Sequence, residues 1–450
     1  MFKSINPYDQ KVIAEFQPDD QVAIDKKIKM AASSFSSWKK TSFQHRSDLL
    51  RAAARVLREN REKYAAIMSI EMGKVLNESR AEIDKCANGC DYFAENAEGF
   101  LKDIPVKTEA SKSLIAFQPL GPVLAIMPWN FPLWQVFRFA APGLMAGNVG
   151  LLKHASNVSQ CSLLIEDVFK QAGFPEGVFQ SLLVDSKHIE GIIARDEIAA
   201  VTLTGSEFAG KKVAEAAGRN LKKCVLELGG SDPFIVLEDA ELELTAKIAT
   251  QSRMQNAGQS CIAAKRFIVV QNIKDEFMSK FKTNIEKLVQ GNQLAEKTTT
   301  GPLARIDLAE DLEHQLKDSV DAGAVVVTGG KRNGANFQPT LLDNVKPGMK
   351  AFDEEMFGPI ASVITVKDES EAIALANNHR YGLGGSVWTQ DKERGERVAR
   401  EIESGSVFVN SLMRSDQRLP FGGIKKSGYG RELSELGIKE FVNAKTIFVS

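Results

Sequence analysis

Three residues of the chain have types and settings suited to covalent catalysis on a carbonyl. Cys261 ends the run Asn256-Ala-Gly-Gln-Ser-Cys261, where glycine and glutamine beside the thiol predict a tight loop open to close approach. A thiolate there is a nucleophile toward a carbonyl carbon, whereas a lone buried cysteine is more often inert packing. Glu227 opens Glu227-Leu-Gly-Gly230 at the end of a strand-like run, as a general base or merely an edge charge. Asn130 lies in Pro128-Trp-Asn-Phe-Pro132, where flanking prolines restrict the backbone. That setting suits an amide donor aimed at an oxyanion, and a plain turn asparagine is the alternative.

A second pattern points to phosphate. Val201-Thr-Leu-Thr-Gly205-Ser206 reads as a strand running into a tight turn and a helix N-terminus. Backbone N–H groups and the helix dipole there favour a pyrophosphate, though a plain strand-to-helix turn reads the same. The stretch Gly205 to Lys212 mimics a phosphate loop until its last position, where Lys212 replaces the Ser or Thr that holds magnesium. No Gly-x-Gly-x-x-Gly fingerprint occurs, which disfavours the standard dinucleotide fold of alcohol and hydroxy-acid dehydrogenases. No metal site is expected. Cys86 and Cys90 have helical spacing but no companion pair, and read as packed small residues.

The elements that must position these residues follow from periodicity. Arg46–Asn60 and Ser79–Phe100 carry apolar residues at helical spacing, and the first hundred residues read mainly as helix. Alternation at Ser111–Phe117 predicts an exposed strand or hairpin. Five strand-like runs follow: Val123–Met127, Val149–Lys153, Val178–Val184, Ile198–Thr204 and Cys224–Leu228. Helical segments separate them, among them Ser159–Gln171, stopped by Gly173 and Pro175. Strands alternating with helices imply a mostly parallel sheet. A second series starts at Pro233–Leu237 and runs through Arg266–Val270, Ala324–Thr328, Ala361–Val366, Gly385–Trp388 and Ser406–Asn410. The tail Glu440–Val449 reads as a strand that pairs with Ser111–Phe117 or with another subunit.

Composition sets outer bounds. The 450 residues are 43% hydrophobic and 26% charged with net charge −1, an ordinary globular balance that offers no basic field for nucleic acid. No apolar run is long enough to span a bilayer, and no secretory leader is evident. Five scattered cysteines do not make a disulfide framework, so the cytoplasm is the expected compartment.

Read in order, the motifs Pro128-Trp-Asn-Phe-Pro132, Gly205-Ser-x-x-Ala-Gly210, Glu227-Leu-Gly-Gly230, Gly258-Gln-Ser-Cys261, Glu355-Met-Phe-Gly-Pro359 and Pro420-Phe-Gly-Gly-x-Lys-x-Ser-Gly-x-Gly-Arg431-Glu432 span nearly the whole chain. The chain resembles the aldehyde dehydrogenase superfamily. Leu-Lys153-His154-Ala155 and Glu227-Leu-Gly-Gly-Ser-Asp-Pro233 are similar to its short bacterial succinate-semialdehyde dehydrogenase branch. The resemblance implies an α/β fold with a parallel-sheet cofactor domain (1–106 and 119–227), an α/β catalytic domain (228–419) and small oligomerisation strands (107–118 and 432–450). It implies NAD(P)-dependent oxidation of succinate semialdehyde to succinate through a thiohemiacetal and a thioester. Another aldehyde, such as glutarate semialdehyde or an aliphatic one, or a non-catalytic binding role, is the alternative.

In that reading Cys261 is the nucleophile, Asn130 and the Cys261 N–H hold the oxyanion, and Glu227 activates water. Lys153 meets the adenosine ribose, Glu355 the nicotinamide ribose and Phe357 the nicotinamide, while Trp129, Gly205 and Ser206 line the pyrophosphate path. NAD-preferring relatives often carry Glu where this chain has Ser156, so either NAD or NADP is expected, with NADP favoured. Arg138 matches an arginine that relatives use for the distal carboxylate of succinate semialdehyde. A second such arginine is Gln255 here, and Arg414, Ser415 and Arg418 are candidates to compensate. A homodimer or homotetramer is implied, with a small aldehyde as the other partner.

Overall fold

A computed structural model describes residues 1–450. Two parallel sheets with helices on their faces, and one small antiparallel sheet, organise the chain. The first sheet orders its strands Gly428–Tyr429, Lys223–Glu227, Ala200–Thr204, Pro122–Met127, Val149–His154 and Phe179–Ser181. All neighbours run parallel except the short Gly428–Tyr429 edge. Its central strands read as unbroken apolar runs because helices cover both faces, and Ala200–Thr204 is buried at every position.

The second sheet has seven strands: Val325–Thr328, Thr340–Asp343, Ile360–Val366, Ala264–Val270, Asp232–Val236, Gly384–Trp388 and Ser406–Val409. Only Val325–Thr328 runs antiparallel to its neighbour. Its two faces carry separate apolar clusters, one around Ile235, Ile268 and Ile364, the other around Phe234, Phe267 and Trp388. The third sheet joins Val442–Val449 to Lys112–Pro119 and then to Ile104–Pro105, all antiparallel. The tail strand therefore pairs within its own chain.

The helices begin where the sequence supplies a cap. Asp20 accepts the Ala23 amide at 2.8 Å ahead of Gln21–Trp38, and Ser42 accepts the His45 amide at 3.2 Å ahead of Phe43–Glu59. Ser159–Gln171 ends as its Gly173 predicts, with φ at +89°. The long helix Leu76–Phe100 packs between Phe43–Glu59 and Trp134–Met145. Trp134–Met145 is buried at every position despite Pro142 inside it.

Local differences from the sequence expectation have physical reasons. A hairpin of Phe2–Ile5 and Val12–Phe16 precedes the helices, its strands too short and mixed in polarity to stand out. Val178–Val184 shortens to Phe179–Ser181, at the edge of its sheet with a single neighbouring strand. Thr340–Asp343 is a strand of four residues without a periodic signature.

Candidate active site

The cysteine loop starts where helix Leu242–Met254 breaks. Asn256 and Ala257 adopt φ of 54° and 51°, a left-handed conformation costly for residues with a Cβ. Surrounding hydrogen bonds hold it. Both Glu78 oxygens accept the Asn256 amide at 3.0 Å. The Asn256 Nδ2 donates to the Asn130 carbonyl at 2.7 Å and to the Gln259 carbonyl at 3.1 Å. Gln259 Oε1 accepts the Ala304 amide at 2.9 Å. Gly258 is required, since a Cβ there would lie 2.3 Å from the Gly358 carbonyl oxygen at a φ of +74°.

Lys265 fastens the other side of the loop. It is fully buried, and its ammonium donates to the carbonyls of Ser260 and Cys261 at 2.9 Å and of Ala263 at 3.2 Å. Its Nζ also stands 3.5 Å from the Glu355 carboxylate. The thiol of Cys261 is thereby fixed by its backbone at a chosen point.

That point is one wall of a cleft of about 280 Å³ between the two parallel-sheet layers. Trp129, Asn130, Gly205, Ser206, Glu355 and Phe357 also line it. Burial pushes the Cys261 thiol up to about 12, against the pull of Arg138 and Lys265, so the resting sulfur is protonated. The Asn130 amide donates one bond to the Gln259 carbonyl at 3.1 Å, which aims the group at the cysteine loop. An amide nitrogen has two N–H donors, so one is left for an oxyanion.

Glu227 ends strand Lys223–Glu227 beside this cleft and is 2% exposed. Neither of its oxygens has a hydrogen-bond partner. Burial raises its carboxyl well above the usual range, neighbouring Glu432 raises it further, and Arg138 and Arg431 oppose both. Glu432 forms a buried ion pair with Arg138. The result is a carboxyl group without a hydrogen-bond partner and with a raised affinity for a proton, as suits a proton acceptor.

The remaining cleft residues suit a dinucleotide. Ser206 caps helix Glu207–Arg219 by accepting the Ala209 amide at 3.3 Å, and Gly205 donates to the Glu227 carbonyl at 2.9 Å. Glu355 is seated on glycines: its Oε1 accepts the Gly230 amide at 3.0 Å, and a Cβ on Gly229 would lie 2.4 Å from its Oε2. Trp129 and Phe357 meet edge to face at 5.8 Å and form an apolar wall for a flat ring. Outside the cleft lining, Lys153 is the penultimate residue of strand Val149–His154, half-buried, and Ser156 is exposed on the following turn. A helix N-terminus, an ammonium group, a glycine-seated carboxylate and an aromatic wall together fit a nicotinamide dinucleotide.

The residues expected to hold a distal carboxylate divide. Arg138 is buried, its Nε committed to Glu432 and its Nη2 donating to Thr204 Oγ1 at 3.2 Å. Two of its three nitrogens are thus held by protein groups, and no protein group partners Nη1. Arg418 is exposed and bound to Asp416 at 2.6 Å, and Arg414 is exposed; neither lines the cleft. The two arginines lie on the solvated face of their loop. Ser415 alone of that loop trio turns inward, 6% exposed.

Sequence reasoning missed Lys265, Asn256, Glu78 and Lys85. Charges on an apolar helix face give a usable signal: Glu78, Glu82 and Lys85 recur at helical spacing beside buried Ile83, Cys86 and Cys90. Lys265, at the start of a strand buried at every position, is a comparable anomaly.

Comparison with known proteins agrees with this geometry. A family model described as the aldehyde dehydrogenase family matches residues 1–447. A protein of Synechocystis sp., named probable succinate-semialdehyde dehydrogenase [NADP(+)], is 50% identical, with 99% of each chain covered. An Escherichia coli protein named succinate semialdehyde dehydrogenase [NAD(P)+] is 45% identical over 99% of this chain and 97% of its own. The solved structure of a succinic semialdehyde dehydrogenase from Streptococcus pyogenes, in complex with NADP+, superposes with a TM-score of 0.98 at 37% identity, covering 100% of both chains.

Proposed function

The chain belongs to the aldehyde dehydrogenase family, and from that premise we propose that it oxidises succinate semialdehyde to succinate with NADP as preferred cofactor. The observation that carries the reading is the convergence of Cys261, Asn130, Ser206, Glu355 and Phe357 on one cleft, with Glu227 unpartnered beside it. The names of relatives 45% to 50% identical over nearly the full chain support the substrate.

The chain's own residues carry the covalent steps. Glu227 takes the proton of the Cys261 thiol, and the sulfur attacks the aldehyde carbon to form a thiohemiacetal. The Asn130 amide and the Cys261 N–H stabilise the oxygen as charge builds on it. The oxidised nicotinamide, when bound, supplies the hydride acceptor. Collapse of the oxyanion leaves a thioester on Cys261. Glu227 passes its first proton to solvent, then takes one from water, whose oxygen attacks the acyl carbon; the sulfur leaves, recovers a proton from Glu227 and is released as the thiol beside the carboxylic acid. Lys265 holds the loop in place by donating to three of its carbonyls.

Lys153 and Glu355 would hold the two riboses of a bound cofactor, and Ser206 with Gly205 its pyrophosphate. Exposed Ser156, three residues past Lys153, presents a hydroxyl where a carboxylate would repel a 2′-phosphate. This supports NADP over NAD.

The free edge of the tail strand supports a homo-oligomer. Val442–Val449 has one strand neighbour, and Phe448 and Val449 are 50% and 47% exposed. No helix is long and apolar enough to cross a membrane. All five cysteines are free, which supports a reducing compartment such as the cytoplasm. Parallel initial rates on succinate semialdehyde with NADP and NAD test the assignment: the account expects the acid as product and the higher kcat/KM with NADP. Absence of turnover with both would refute it.

A further inference from the structure

Two buried cations bracket the nucleophile. Arg253 lies in the last turn of helix Leu242–Met254, ahead of Cys261, and Lys265 lies after it at the start of strand Ala264–Val270. Neither side chain reaches solvent. Arg253 has no carboxylate oxygen within 4.0 Å. Burying a charge without a counterion is costly, and packed apolar residues would fill the same space without that penalty. The groups that Arg253 touches supply the reason for it.

Carbonyl oxygens surround its guanidinium, and they come from two separate segments. Nη1 donates to the Ala264 carbonyl at 3.3 Å. Nη2 donates to the carbonyl of Gly258 at 3.2 Å, in the nucleophile loop, and to those of Met356 at 2.7 Å and Gly358. One nitrogen thus joins the two segments, its two N–H groups shared among three acceptors. Met356 and Gly358 flank Phe357, and Glu355 precedes them. Glu355, Phe357 and Cys261 line the same cleft. Lys265 makes a parallel link, with the Cys261 carbonyl at 2.9 Å and the Glu355 carboxylate at 3.5 Å.

We propose that Arg253 is a positioning residue for hydride transfer: it clamps the Glu355–Gly358 run against the nucleophile loop and so sets the spacing between the Cys261 sulfur and a bound nicotinamide. The inference rests on the aldehyde-oxidising reading of the cleft and holds for any aldehyde. In the step concerned, the hydride leaves the thiohemiacetal carbon, the oxyanion re-forms the carbonyl as a thioester, and the bound cofactor is reduced. The two segments depend on Arg253 unequally. Glu78, Asn256 and Lys265 still hold the nucleophile loop when it is removed, whereas the Met356 and Gly358 carbonyls lose this donor. Thiol chemistry should therefore outlast hydride transfer.

Two rates on the full-length enzyme test it, and their ratio cancels any loss of folded protein. One is cofactor reduction in a single turnover of succinate semialdehyde at saturating NADP. The other is cleavage of 4-nitrophenyl acetate without cofactor, which uses Cys261, Asn130 and Glu227 but no hydride acceptor. In Arg253→Met the ratio of the first to the second should fall about 100-fold, the scale of a misplacement of about 1 Å. Deuterium on the aldehyde carbon should slow the variant's reduction step by a full primary isotope effect. Arg253→Lys, which keeps the charge, should recover part of the ratio. Should Arg253→Met fail to fold, Arg253→Gln is judged by the same two readouts. An unchanged ratio, or a fall without an isotope effect, overturns the proposal and leaves aldehyde oxidation standing. A wild type that oxidises butanal and not succinate semialdehyde overturns the succinate reading alone, and the ratio is then read with butanal. A wild type that reduces neither NADP nor NAD with either aldehyde overturns both.

Discussion

Lys85 and Ser415, 330 residues apart in the chain, meet through an ammonium-to-hydroxyl hydrogen bond of 2.7 Å. The contact ties the N-terminal helical layer to the loop that precedes the Pro420 motif. Burial pushes the Lys85 ammonium down to about 8, Arg138 lowers it further, and Cys86, Glu82 and Asp416 oppose the shift.

The proposed cofactor preference turns on Ser156, three residues past Lys153. Ser156→Glu adds a carboxylate to an exposed turn and should leave the fold intact. It should lower kcat/KM with NADP about 100-fold, as like charges repel, and change the NAD value only a few-fold. Initial rates over a range of each cofactor check this. Equal loss with both would place the 2′-phosphate elsewhere.

Arg138 is read here as a partner of carboxyl groups in the protein. Its removal leaves Glu432 buried and unpaired, at a cost of about 3–5 kcal/mol, so Arg138→Met should lower the melting temperature. Arg138 also holds the Glu227 carboxyl down, against burial and Glu432. Without it Glu227 loses its proton only at higher pH. The acidic limb of the kcat profile should therefore move to higher pH on acid and neutral aldehydes alike. A selective rise in KM for succinate semialdehyde with no shift of that limb would restore Arg138 as a substrate clamp.

Much of this site is legible in the sequence because its backbone is unusual. Prolines around Asn130, glycines after Glu227 and the Gly258-Gln-Ser-Cys261 turn mark places where only certain residues fit, and these segments line one cleft. The parallel strands are legible for a related reason: buried on both faces, they read as apolar runs such as Val123–Met127. Pairings that depend on distant partners are not legible. The pairing of Arg138 with Glu432, nearly 300 residues later, leaves no trace in local spacing. Arg418 looks available until Asp416 holds it, and Lys85 has meaning only once Ser415 arrives. Helical spacing marks Lys85 as a charge on an apolar face, but spacing cannot say what that charge meets.

The central claim is that oxidation proceeds through an acyl group on Cys261 which Glu227 releases. Peptide mass spectrometry of Glu227→Gln, mixed with succinate semialdehyde and NADP, tests it most directly. The account predicts a succinyl group on the Cys261 peptide, one reduced cofactor per site and steady turnover lowered about 100- to 10,000-fold. Reduced cofactor accumulating over many turnovers while the Cys261 peptide stays unmodified would contradict it.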